Sequence, residues 1–156
     1  MIGIVIAVVL VVVVVVGVLA TLAISGVRRY ISNAKMGEGR ITVAVIAKGI
    51  ARCSTPRGSV PESSGPVPAD LSSVSGRKYL SAPNEWSHQA FRCAGFSMRE
   101  PQYFRYEWLR ESDAAGVVRA EADLDGDGTA EIRLEHEVVC GASGCQSATQ
   151  TKETEL

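Results

Sequence analysis

The chain has 156 residues, a formal net charge of −1 at pH 7 and 46% hydrophobic residues. That length leaves room for one domain beside an N-terminal anchor. The near-zero charge excludes the electrostatic footprint of a nucleic-acid binder, so no nucleic-acid partner is expected.

From Ile2 to Val27 there is no charged side chain, and only Thr21 and Ser25 carry hydroxyls. About 18 uncharged apolar residues are enough to predict a membrane-spanning helix. The valine run Val11 to Val16 favours a strand in water, because β-branched side chains are stiff in helices. In hydrocarbon the preference reverses, since only a helix closes all its own backbone hydrogen bonds. Residues 1–27 are therefore predicted as a transmembrane helix. A cleaved secretory signal does not fit, because only Met1-Ile2-Gly3 precedes an apolar stretch far longer than about 15 residues. Arg28 and Arg29 after the span argue for a cytoplasmic C-terminal part, whereas the cysteines argue for an extracytoplasmic one. The cysteines prevail, because flanking arginines also pair with lipid phosphates on either face.

Residues 28–52 continue as an amphipathic helix: Val27, Ile31, Ala34, Ile41 and Val45 recur at helical spacing, with Gly37 and Gly39 as a soft spot. Residues 53–76, with Pro56, Pro61, Pro66 and Pro68, read as a long connecting loop, since proline fixes φ and lacks a donor. Residues 77–146 read as short antiparallel strands. Phe104, Tyr106 and Trp108 alternate with Tyr103, Arg105 and Glu107; Val118, Ala120 and Ala122 alternate with Arg119 and Glu121. Ile132, Leu134, His136 and Val138 alternate with Glu131, Arg133, Glu135 and Glu137. Residues 147–156 are polar and aperiodic, and are expected to be disordered. A sheet with one apolar face needs a cover, and the amphipathic helix is the segment that supplies it. The predicted class is α+β, a long N-terminal helix with a transmembrane half and an amphipathic half, packed on a small antiparallel sheet.

Four cysteines in a small domain point to disulfides, and the pairing favoured is Cys53 with Cys93 and Cys140 with Cys145. The short, glycine-rich Cys140-Gly-Ala-Ser-Gly-Cys145 loop lets its ends turn back on each other. A zinc site is the rival, but C-x-x-C pairs are missing and His88 and His136 stand apart.

Asp123-Leu-Asp125-Gly-Asp127-Gly-Thr-Ala-Glu131 has ligand-like spacing, and its first half matches the start of an EF-hand loop. The bidentate glutamate expected at loop position twelve falls on Leu134, with Glu131 as a partial stand-in. Two readings stay open: a calcium site formed by Asp123, Asp125, Asp127 and Glu131, or a metal-free turn in which Asp and Gly supply the geometry. His136 reads as a partly buried core histidine and Trp86 as packing over the sheet edge. Local motifs suggest no catalytic constellation, so an enzyme is not expected.

This order of elements resembles that of type IV pilins and pseudopilins. The stretch Val16-Gly-Val-Leu-Ala-Thr-Leu-Ala-Ile-Ser25, followed by Val27-Arg-Arg-Tyr-Ile, is similar to the pilin apolar helix and its continuation. Trp86, Phe91-Arg-Cys93, Tyr103-Phe-Arg-Tyr106 and Ala122-Asp-Leu-Asp-Gly-Asp-Gly128 are similar to soluble domains of pilin-like proteins from deltaproteobacteria. The resemblance implies prepilin-peptidase cleavage after Gly3, leaving Ile4 as the mature N-terminus. It places Val8 where pilins carry an assembly glutamate, Ser25 where they carry a helix-bending proline, and Gly17 and Ala20 on an assembly helix that allows close approach. The function it implies is a minor or divergent filament subunit, non-enzymatic, held first in the inner membrane with a periplasmic domain and then partnered by other pilin-like subunits. The alternative is a single-pass anchored extracytoplasmic binding or sensor domain that never assembles.

Overall fold

The computed structural model describes residues 2–156; within the first helix, the side chains of residues 2, 4, 5, 7–9, 24–26, 28, 29 and 32 lie outside that description. Helix α1 covers Ile2–Ser54. Contacts divide the chain into two units, Met1–Lys35 and Met36–Leu156.

In the second unit the helical period brings Val43, Ile46, Ala47, Ile50 and Ala51 into the core, each at most 5% exposed. That is the i, i+3, i+4, i+7, i+8 stripe of a helix lying on a sheet. The sequence period selects Ile41 and Val45 for the same face, and here the phase is corrected: they are 68% and 50% exposed. Gly39 explains the choice. A Cβ there would sit 2.6 Å from Leu134 Cδ1 and 2.8 Å from Phe104 Cζ, so the helix approaches the sheet along the glycine-bearing stripe. Gly39 is thus a contact point rather than a soft spot, and α1 runs through it as helix. Alongside, the Tyr103 N–H donates to Glu38 Oε1 at 2.8 Å.

The sheet has six strands: β1 Ser64–Val67, β2 Arg105–Arg110, β3 Ala115–Ala122, β4 Ile132–Gly141, β5 Gly144–Ser147 and β6 Lys152–Glu155. Their order is β1-β2-β3-β4-β5, every pairing is antiparallel, and β6 also pairs with β4, at Ile132–Glu135. Short 3₁₀ turns occupy Leu71–Val74 and Pro83–Trp86, and helix α2 occupies Gln89–Ala94. The inner face carries Tyr106, Trp108, Val118, Ala120, Leu134 and Val138, all fully buried. The outer face carries a lattice of alternating charge, in which Arg105 and Arg133 flank Glu121, and Glu107 and Glu135 flank Arg119. The period-two alternation read over these three strands is this inside–outside division.

Two segments differ from the sequence reading. The proline-rich stretch contains β1, an edge strand whose Ser64 and Val67 face the core; an edge position is where prolines are tolerated. The tail forms β6 rather than a disordered end, tied through Glu153 to Arg40 and through the Leu156 N–H to Glu131 O. Its charged side chains belong to an exposed edge strand, which carries no apolar period to read.

The predicted fold class and location also require correction. Among the described residues no helix is long and apolar enough to cross a membrane. The transmembrane half is therefore withdrawn, and with it the single-pass inner-membrane location. What stands is a six-stranded antiparallel sheet covered by the Met36–Ser54 part of α1 and by α2, with no membrane-crossing half assigned to the helix.

Candidate functional site

Three groups of residues were singled out by the sequence, and they occupy different places. The acidic loop joins β3 to β4. Asp123 is fully buried at its start, and its carboxylate organises everything around it: Oδ1 accepts from the Gly126 N–H at 2.7 Å, while Oδ2 accepts from the Gly128 N–H at 2.8 Å and from the Ser75 hydroxyl at 2.6 Å. Gly126 has φ of 86°, the left-handed geometry that lets the chain fold back over this carboxylate. The Asp123 carbonyl in turn accepts from the Gly76 N–H at 2.8 Å. Burial would raise the Asp123 pKa, but the Ser75, Gly126 and Gly128 donors outweigh it and hold the group below its ordinary range.

Asp123, Asp125 and Glu131 can each bring a carboxylate oxygen within 4.8 Å of the others. Asp127 is not among them; its Oδ1 accepts from the Thr129 backbone and hydroxyl. Burial, reinforced by neighbouring Asp125, raises the pKa of Glu131. Three carboxylates supply part of the 6–8 oxygens that calcium takes. The hydrogen bonds of Asp123 and Asp127 are those of an Asx-type turn that closes on its own backbone. Sequence spacing marked the carboxylates but missed Ser75 and Gly76, because a serine and a glycine in a Ser/Gly/Pro-rich stretch carry no periodic signal.

The proposed assembly residues lie on α1. Gly17 and Ala20 are exposed, and the Thr21 hydroxyl donates back to Gly17 O at 2.8 Å. Around them Leu10 to Val16, Val18 and Leu19 are 50% to 64% exposed. Of the processing pair, Gly3 is exposed; the side chains of Ile4 and Val8 lie outside the described residues.

The cysteines form the two favoured pairs. Cys53–Cys93 joins the last turn of α1 to α2 with Cα atoms 5.7 Å apart, and Cys140–Cys145 bridges facing positions of β4 and β5. Both point to an oxidising compartment. His136 is 3% exposed between β4 and the β5–β6 connection, with Nδ1 against the Thr151 hydroxyl and Nε2 against Ala148 O, each at 2.9 Å. Burial lowers its pKa. Both ring nitrogens thus serve the fold. Trp86 is a core residue, 2% exposed and edge-on to Phe91 at 4.9 Å.

Comparison with known proteins adds no relative: no family model, no curated protein and no solved structure matches the chain.

Proposed function

We propose that this chain is a non-enzymatic structural subunit that assembles with like, pilin-type subunits through the N-terminal part of α1. The observation that carries the reading is the run from Leu10 to Leu19, whose apolar side chains are half or more exposed within the chain. A helix apolar on all sides is a buried helix, and a contiguous apolar surface of this extent marks an interaction site. Packing against other helices of the same kind supplies that burial. Valines suit it, because a β-branched side chain already fixed in one rotamer loses little further freedom on docking. Gly17 and Ala20 allow close backbone approach at that face. The two disulfides and the ion-paired outer sheet face support a sturdy globular unit displayed outside the cytoplasm.

The test is in-cell photo-crosslinking with benzoylphenylalanine at position 13. Adducts at multiples of the subunit mass, or with another protein carrying an apolar N-terminal helix, are expected, and Val13→Asp in the same helix should reduce assembly at least tenfold. Crosslinks to lipid alone, or none, would overturn the reading.

A further inference from the structure

Beside the Pro83–Trp86 turn, on the globular unit, lies a hollow of about 420 Å³ lined by Leu80, Ser81, Pro83, Ser97, Met98 and Arg99. The volume falls within the range of small-molecule sites. Its floor is fixed. Ser81 is 5% exposed, and its hydroxyl accepts from Trp86 Nε1 at 2.8 Å and lies 3.3 Å from Gln102 Oε1, to which it donates. Gln102 is itself fully buried, with Nε2 donating to the carbonyls of Val67 and Phe104. The walls are apolar. Leu80 stands 63% exposed, Met98 is half-buried and adaptable in shape, and Pro83 is rigid.

Charge decides what the hollow takes. The sole cation among the lining residues is Arg99, exposed and without an ion pair among the described residues. Glu85, on the same turn, has its carboxylate oxygens engaged by the Tyr79 hydroxyl and the Ala82 N–H. A ligand that fits therefore has an aliphatic body for Leu80, Pro83 and Met98 and a planar anion for the guanidinium, whose forked donors match a carboxylate. We propose that this hollow binds a small aliphatic carboxylate, head to Arg99 and chain over Met98. The site is independent of helix-mediated assembly.

The test is titration of the full chain with sodium octanoate, followed by the methyl resonances of its three methionines. The Met98 methyl is expected to shift saturably while that of the buried Met36 stays in place. Arg99→Gln and Leu80→Asp, both at exposed positions that leave the fold intact, should each weaken binding at least tenfold, and octan-1-ol should bind at least tenfold more weakly than octanoate. An unmoved Met98 methyl, octanoate binding indifferent to both variants, or equal affinity for the alcohol would each overturn the proposal.

Discussion

At the scale of single residues, Asp123 shows how a carboxylate can look like a ligand and act as a scaffold. Its three donors come from two separate stretches, Ser75 and the loop residues Gly126 and Gly128. Asp123→Asn replaces one acceptor oxygen of a buried side chain with an NH2 group that faces donors instead of accepting from them, at a cost of about 1–3 kcal/mol. The pH dependence has a definite sign. Because the folded pKa is lowered, the contribution of this carboxylate is fully present above the unfolded pKa of about 3.9 and is lost as pH falls through the folded value. The stability gap between wild type and Asp123→Asn, measured by urea denaturation, should therefore be widest at neutral pH and close in acid. Asp125→Asn should cost little, since it also relieves the pressure on Glu131. A melting temperature that rises with added calcium in the wild type, but not in Asp125→Asn, would instead assign the loop to the ion. The spacing of Asp123, Asp125, Asp127 and Glu131 was legible in the sequence. Which carboxylate faces inward was not, because that is decided by Ser75, 48 residues away.

At the scale of elements, strands were easier to read than the helix that covers them. Alternation along β2, β3 and β4 survives in the structure because every second residue meets one core, whereas β1 and β6 sit at edges where nothing enforces a period. The helix period was legible too, but its phase depended on a glycine. Gly39 touches Leu134 and Phe104, while a Cβ on Gly37 would meet nothing within 4 Å. The two glycines therefore predict opposite outcomes. Gly39→Ala should destabilise by about 1–3 kcal/mol through overpacking, more than the ~1 kcal/mol gained in helix propensity. Gly37→Ala has only the propensity gain and should stabilise by about 0.5–1 kcal/mol. Chemical denaturation of both variants checks the pair, and equal shifts would mean that the helix does not approach the sheet along Gly39.

At the scale of the whole molecule, burial is unevenly distributed: the core residues belong to Met36–Leu156, while the apolar side chains of Met1–Lys35 that are described are exposed. On the proposed reading, folding and assembly draw on different residues, and substitutions should separate them. The Cys53–Cys93 bridge closes 40 residues of chain, a constraint on the unfolded state of about 4 kcal/mol in the chain-entropy picture, against about 2 kcal/mol for the short Cys140–Cys145 loop. Cys53→Ser with Cys93→Ser should lower the melting temperature on the order of 10 °C, yet leave crosslinking from position 13 unchanged at temperatures where the unit is folded. Val13→Asp should do the reverse, abolishing crosslinked multimers while the melting temperature and aromatic circular dichroism of the globular unit stay at the wild-type values. If Val13→Asp instead lowered that melting temperature, the apolar run would be part of the fold rather than a surface kept for partners, and the assembly reading would lose the observation on which it stands.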